Sequence, residues 1–579
     1  MRHLQSIAGW LGTVLLAGSA LLACGEDATS SSTGGNGGGG SGGEGGAGGE
    51  GGAGGGGAGG GGGAGGGGGG SSALKWESCP ADYLDECATV PLPLDPEKPD
   101  GATIPIFISR KLADSGAAKS QVWLLQGGPG GSGNAFKGAI DQLLGAALPD
   151  VDFYVLDHRG VGLSERLSCP NAEAAGSPGG PTIIETEWPA CINTLKAEHG
   201  DALMHFTTTN DAKDLGALIE LVREPNKEVF VYGVSYGTTR ALRFLQVHPD
   251  LVDGVVLDSV VSPGVQFLSD FDQQYDPVAK SLSELCAADA VCGQKLGPDP
   301  WAKLNDLVTM LNGGHCSALG MTGQTLRSIS PLFIMARGLR AHLFPLTYRL
   351  LRCDAADMEV ITHYVQTLLT LLNSGGPQPL RDSAALQAHV ALSEMWEDPA
   401  PSAMDAKAQC DSLIFCPGFV AGVAGLYDVW PRYPHDTFVN QWPSSATPIL
   451  AFNGTLDPQT TIETAKAAAD HLKAPGQTFV EVPYSPHGVV FESVVKTPGA
   501  LPCGLQMMTG FLADPKAPIA TACLADVAPV SWNEDPAVVQ QFFGTADMWE
   551  NVMPVAPKKG APVDWAAISR LARDKARPR

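Results

Sequence analysis

The chain has 579 residues, 73 of them glycine, and a formal net charge of −24 at pH 7. Binding to nucleic acid requires a basic face, so this acidic composition argues against a nucleic-acid partner. The length that remains after a glycine-rich N-terminal part suits a large α/β domain with an insertion.

The first residues have the order of a targeting signal. Arg2 and His3 precede an apolar run over residues 7–22, and a small residue stands directly before Cys24. A positive start and a short apolar run are typical of a signal peptide, and the cysteine resembles the lipidation site of a bacterial lipoprotein. We therefore predict a signal peptide over residues 1–23 and a lipid anchor on Cys24. The alternative is a secretory signal with an incidental cysteine, and both interpretations place the protein outside the cytoplasm.

Residues 24–72 form a glycine-rich linker, which from residue 30 onward consists almost wholly of glycine with a few Ala, Ser and Glu. Such a segment cannot bury apolar surface, so it is predicted to be a disordered tether between the lipid anchor and a globular body. Gly25 stands where lipoproteins of the inner membrane often carry aspartate. We therefore expect the protein in the cell envelope, at the outer membrane or cell surface rather than the inner membrane.

Strand and helix patterns alternate in the next part of the chain. Strands are predicted over residues 104–108, 121–126 and 153–156, a helix over 210–222, and a further strand over 228–232. Strands that alternate with helices pair in parallel, so the sequence predicts a mostly parallel sheet.

A glycine-rich loop follows the strand over residues 121–126. Gly128, Gly130 and Gly133 have the spacing of a dinucleotide-binding loop, but Pro129 at its centre argues against that use. In an acyl-transfer enzyme the same loop can direct backbone N–H groups at a developing oxyanion. We predict this second use, with Gly128 as a donor.

The strand over residues 228–232 runs into Gly-x-Ser-x-Gly, with Ser235 between Gly233 and Gly237. A serine on a tight turn between a strand and a helix adopts strained backbone angles, and glycine neighbours let the chain pass closely behind it. This is the pattern of a nucleophile elbow. The N–H of the next residue, Tyr236, is the second predicted oxyanion donor.

A serine nucleophile needs a histidine base and a carboxylate that orients it. Asp457 lies on a turn after the predicted strand over residues 448–452, and His487 follows the strand over 478–482. This order of serine, acid and histidine is that of α/β hydrolases. Asp258, after another strand, is the alternative acid.

Thirteen cysteines occur, and twelve remain when Cys24 is set aside. An even number in local pairs outside the cytoplasm predicts six disulfides. The pairing rests on proximity in the chain and leaves other connectivities open. The pairs are Cys79/Cys87, Cys169/Cys191, Cys286/Cys292, Cys316/Cys353, Cys410/Cys416 and Cys503/Cys523. No Cys-x2-Cys pair occurs and only Cys316 has a neighbouring histidine, so no metal is predicted.

Five motifs in this order resemble the tripeptidyl aminopeptidase-like group of α/β hydrolases, which are relatives of prolyl aminopeptidases. The motifs lie at residues 127–133, 157–164, 233–237, 454–458 and 487–488. The likeness runs from about residue 76 to about residue 523. His158 departs from the group, where glutamine is frequent, and we interpret it as part of a structural loop.

The resemblance implies an α/β-hydrolase fold with a mostly parallel central sheet and an inserted, mainly helical cap. The first part of the core is then predicted over residues 73–261, the cap over 262–445, the second part with a C-terminal module over 446–550, and a basic tail over 551–579. Cap helices are expected over residues 278–287, 301–311, 358–372 and 384–396. The C-terminal module supports the Cys503/Cys523 pair.

The resemblance also implies a serine exopeptidase that acts on peptides with free N-termini and needs no cofactor. In such enzymes carboxylates of the cap hold the substrate ammonium, and Glu394 is the candidate here. An esterase or lipase with the same triad is the first alternative. A non-catalytic surface lipoprotein is the second, and the oligomeric state stays open.

Overall fold

A computed structural model describes residues 74–372 and 379–551. The predicted signal peptide, the anchor residue Cys24, the glycine linker and all but residue 551 of the predicted basic tail lie outside the described residues. Within those ranges, no helix has the length and apolar character needed to cross a bilayer.

Nine strands form a single sheet in the described part of the chain. They are β1 (Glu77–Ser78), β2 (Glu86–Pro93), β3 (Thr103–Lys111), β4 (Ser120–Leu125), β5 (Val151–Asp157), β6 (Glu228–Val234), β7 (Gly254–Asp258), β8 (Ile449–Gly454) and β9 (Gln477–Val482). Their order in the sheet is β1-β2-β3-β5-β4-β6-β7-β8-β9. The pairings of β1, β2, β3 and β5 in that order are antiparallel, and all later ones are parallel.

The central strands are buried along their whole length. Every residue of β4, β5, β7 and β8 is buried, and β6 exposes only its first residue, Glu228. The sequences of such strands are continuous apolar runs, because helices cover both faces of a parallel sheet. The expectation of a mostly parallel central sheet is confirmed.

The α-helices of seven residues or more in the described ranges are numbered in chain order. They are α1 (Trp188–His199), α2 (Thr208–Val222), α3 (Tyr236–Val247), α4 (Tyr275–Ala288), α5 (Ala290–Leu296), α6 (Pro300–Asn312), α7 (Gly323–Met335), α8 (Leu343–Arg352), α9 (Ala355–Leu372), α10 (Ala384–Glu394), α11 (Ala403–Ser412), α12 (Cys503–Ala513) and α13 (Pro536–Phe543). Helices α4 to α11 all lie between β7 and β8 in the chain. We call residues 259–448, which contain the predicted cap, the insertion.

Five disulfides join described cysteines at sequence separations of 6 to 37 residues. They are Cys169–Cys191, Cys286–Cys292, Cys316–Cys353, Cys410–Cys416 and Cys503–Cys523, as predicted.

The sixth predicted pair is wrong, because Cys79 and Cys87 are free thiols. In the ladder between β1 and β2, Cys87 stands opposite Glu77, so Cys79 is its diagonal neighbour. Diagonal neighbours in a sheet are about 7–8 Å apart, beyond the roughly 4.4–6.8 Å between Cα atoms that a disulfide spans. Burial and the adjacent Cys87 thiol raise the pKa of Cys79.

Candidate active site

Ser235 lies between the end of β6 and the start of α3, at φ 59° and ψ −130°. The residues two positions before and after it are glycines, because no side chain fits at either place. A Cβ on Gly233 would lie 2.2 Å from the Gly237 carbonyl oxygen, and a Cβ on Gly237 would lie 2.1 Å from that of Leu125. The turn therefore has the strained geometry of a nucleophile elbow.

Asp457 and His487 meet on the loops that follow β8 and β9. His487 Nδ1 lies 2.9 Å and 3.1 Å from the two carboxylate oxygens of Asp457. The same carboxylate accepts bonds from the N–H of Gln459 and from the N–H and hydroxyl of Thr460. The structure thus brings the predicted acid and base together.

Electrostatics keep the Asp457 carboxylate ionised although it is fully buried. Burial raises its pKa, but the His487 charge and the hydrogen bonds from His487 and Thr460 outweigh that effect, and the net pKa is lowered. An ionised acid can hold the imidazole in one orientation and stabilise its protonated form.

Asp258, the alternative acid, has a different set of partners. Its carboxylate accepts bonds from the backbone N–H groups of Val489 and Val490 and from the Tyr232 hydroxyl. These bonds fix the chain directly after His487, and burial raises the pKa of Asp258 to about 6. Asp258 therefore supports the histidine loop, while Asp457 bonds the imidazole.

The predicted oxyanion donors Gly128 and Tyr236 line one cleft with Ser235. The cleft measures about 300 Å³ with its open mouth. Tyr236 is the first residue of α3, where an N–H has no partner within the helix and can serve a ligand. Thr460 lines the same cleft and lies 3.4 Å from His487 Nδ1. Its position was missed from the sequence, where threonine near an acid carries no distinct signal.

The last residue of β5 supports the glycine-rich loop. Asp157 is buried and accepts bonds from the Ser132 hydroxyl and the Gly133 N–H. Next to it, His158 is also buried, and desolvation together with the Arg240 charge lowers its pKa to about 3. A neutral, buried His158 fits the interpretation of a structural loop.

Glu394 is buried at the end of α10 and lines a second cavity of about 410 Å³. This cavity shares lining residues with the Ser235 cleft. The shared residues are Val261, Gln266 and Met395. One carboxylate oxygen of Glu394 lies 2.9 Å from Arg243, and the other accepts bonds from Thr208 and Tyr433. These contacts give Glu394 a structural role. Its binding of a substrate amine stays a prediction.

A strained serine elbow, a histidine bound to a buried aspartate and a mostly parallel sheet define an α/β hydrolase. Residues 122–283 match the family described as "alpha/beta hydrolase fold". Residues 423–523 match the family described as "TAP-like protein". Over these two stretches the chain is similar to the TAP-like group of α/β hydrolases.

Two bacterial relatives show how far the likeness extends. A tripeptidyl aminopeptidase of Streptomyces lividans is 30% identical over 212 residues, which cover 33% of this chain and 39% of the relative. Serine protease Hip1 of Mycobacterium tuberculosis is 27% identical over 230 residues, 37% of this chain and 43% of the relative. The matched stretch therefore spans less than half the length of either relative.

Proposed function

We propose that the protein is a serine exopeptidase that releases short peptides or single residues from free N-termini. The observation that carries the proposal is the bond between Asp457 and His487, next to a cleft that contains Ser235 and both candidate oxyanion donors. The relatives named as a tripeptidyl aminopeptidase and a serine protease support peptides as the substrate class.

The geometry supports an acyl-enzyme mechanism. His487 takes the proton of the Ser235 hydroxyl, whose oxygen attacks the scissile carbonyl. The N–H groups of Gly128 and Tyr236 stabilise the oxyanion, and Asp457 stabilises the imidazolium. Protonated His487 then gives its proton to the leaving amine. A water molecule, activated by the same histidine, releases the acyl group and restores Ser235.

An esterase is the second candidate, and one observation favours it. Among the described residues that line the Ser235 cleft, none is Asp or Glu, while Val261, Phe267, Leu268 and Phe271 give it apolar walls. A substrate ammonium is best held by a partly desolvated carboxylate, whereas an acyl ester needs only an apolar wall.

Kinetics distinguish the two candidates. Chromogenic tripeptide anilides with a free and with an acetylated N-terminus are compared with a short chromogenic ester, with Ser235→Ala as the blank. An exopeptidase turns over the free peptide and loses activity on the acetylated one. Equal rates on both peptides would overturn the exopeptidase proposal, and rapid turnover of the ester alone would establish the esterase.

We further propose that the protein is attached to the cell envelope through a lipid on Cys24. The order of residues in the first 24 positions and the number of disulfides support a location outside the cytoplasm. Metabolic labelling with radioactive palmitate should mark the wild type and not Cys24→Ser. Equal labelling of both proteins, or of neither, would contradict the anchor.

A further inference from the structure

Arg340 is a buried arginine of the insertion that reaches the catalytic loops. It lies at the end of a four-residue helical turn, Arg337–Arg340, between α7 and α8, and only 1% of its surface is exposed. A guanidinium in such a place must have its donors satisfied, because desolvating a charge without partners is costly. Its partners therefore show what it supports.

Those partners are backbone carbonyl groups. Arg340 donates to Leu456, the residue before Asp457, and at 3.3 Å to Tyr484, three residues before His487. Its third nitrogen donates to Ile334 of α7 at 2.8 Å. The planar, rigid fork of a guanidinium thus spans the acid loop, the histidine loop and the insertion.

The two loops also bond each other where Arg340 binds them. The Leu456 N–H donates to the Ser485 carbonyl at 3.1 Å, and the Tyr484 N–H donates to the Thr455 hydroxyl at 2.9 Å. Tyr484 adopts a φ of 58°, a left-handed conformation that a tyrosine rarely takes without support. The carbonyl group of this strained residue is one of those that Arg340 binds.

We infer that Arg340 is a positioning residue, which holds the loops of Asp457 and His487 in their catalytic arrangement and couples that arrangement to the insertion. The inference rests on the proposed hydrolase function. Residues of the insertion line the cleft. Arg340 gives the insertion a second role, because its side chain completes the support of the acid and the base.

The charge of Arg340 acts on the same pair. The carboxylates of Asp457 and Glu492 attract its charge, and the Arg337 cation opposes it. Asp258 faces His487 from β7, and Tyr275 of α4 faces Asp457. A cation close to Asp457 makes the imidazole a weaker base, so loss of the charge should raise the pH at which His487 becomes active.

The test compares Arg340→Met and Arg340→Lys with matched changes at Arg349. Arg349 is a buried arginine of α8 that bonds backbone carbonyls of residues 547, 548 and 550 and contacts neither catalytic loop. Changes at both sites should lower stability, since both remove bonds of a buried guanidinium. Each variant is measured for kcat, KM, pH profile and the rate at which a fluorophosphonate labels Ser235, per folded molecule.

We expect Arg340→Met to lower kcat and the labelling rate about tenfold or more with KM nearly unchanged, because misplaced catalytic groups slow chemistry rather than binding. Its pH profile should shift upward by about half a pH unit or more. Arg340→Lys should lower kcat without the shift, and Arg349 variants should show neither effect.

Wild-type kcat and labelling in either folded Arg340 variant would overturn the inference, as would equal losses in the Arg349 variants. If Arg340→Met does not fold, the kcat and labelling rate of Arg340→Lys test the inference. A wild-type protein that neither reacts with the fluorophosphonate nor hydrolyses any substrate would instead refute the proposed function.

Discussion

The sheet core and the insertion contribute to the active site by different means. The core presents Ser235, Asp457 and His487 from turns directly after strands, where backbone geometry such as the φ of 59° at Ser235 sets their positions. The insertion contributes buried charged side chains, Glu394 and Arg340, whose partners are remote in sequence. Catalytic groups are therefore visible in short motifs, whereas the contacts that support them are not.

The largest expected effect on kcat comes from removal of the nucleophile in the core. Ser235→Ala should lower kcat by about 10⁶-fold, because no other group can form the acyl-enzyme. The exposed Ser412→Ala on α11 is the control and should keep wild-type kcat. Turnover by Ser235→Ala at the wild-type rate would remove the basis for treating the core as the catalytic region.

Substitution of two buried aspartates of the core should have clearly different effects on kcat. Asp457→Asn should lower kcat by about 10⁴-fold, because an amide selects the wrong histidine tautomer. Asp258→Asn should cost far less activity, since Asp258 bonds the N–H groups of Val489 and Val490 instead of the imidazole. Steady-state kinetics of both variants test this, and similar losses would mean that the two acids share the orienting role.

Where the insertion packs on the core, the expected effect is on stability, and the buried pair of Arg243 from α3 and Glu394 from α10 tests it. Arg243→Met leaves the buried Glu394 carboxylate without its cation, which should lower the free energy of unfolding by about 3–5 kcal/mol. Denaturant titration measures the loss, and Arg243→Met combined with Glu394→Leu should regain part of it. Lys407→Met, in the exposed pair with Asp411 on α11, is the control and should change little. A loss no greater than the control's would contradict a supporting role for the buried pair.

A smaller effect concerns pH. Burial raises the pKa of Asp272 in the insertion to about 6, although the N–H groups of Phe419 and Val420 oppose the rise. The folded protein then keeps this proton to higher pH than the unfolded chain. The Asp272 contribution to stability therefore falls by roughly 2–3 kcal/mol as the pH rises from about 4 to about 6. Asp272→Asn should flatten the decline in denaturant titrations over that interval, and an unchanged slope would contradict it.

Local patterns predicted most of the core. The strands that become β3 to β9 are apolar runs. Ser235, Asp457 and His487 follow three of them, in turns that contain glycine or proline. The strand β2 was missed because Pro91 and Pro93 interrupt its pattern. The helix α7 was missed as well, and it contains Pro331 in its interior.

Contacts across long sequence distances could not be predicted. Arg340 is 116 residues from Leu456, and Arg243 is 151 residues from Glu394. Nothing in the local sequence marks such partners, because only the folded insertion brings them together. The wrong Cys79/Cys87 pair has a related cause, since closeness in the chain does not fix the register of two strands.

The position of the insertion between β7 and β8 has a consequence for biosynthesis. The ribosome completes the elbow of Ser235 first, then the whole insertion, and only afterwards the loops of Asp457 and His487. A nascent chain that stops within the insertion carries the nucleophile but no base to activate it. The proposed hydrolytic activity can therefore arise only after His487 has been added, near the end of the described chain.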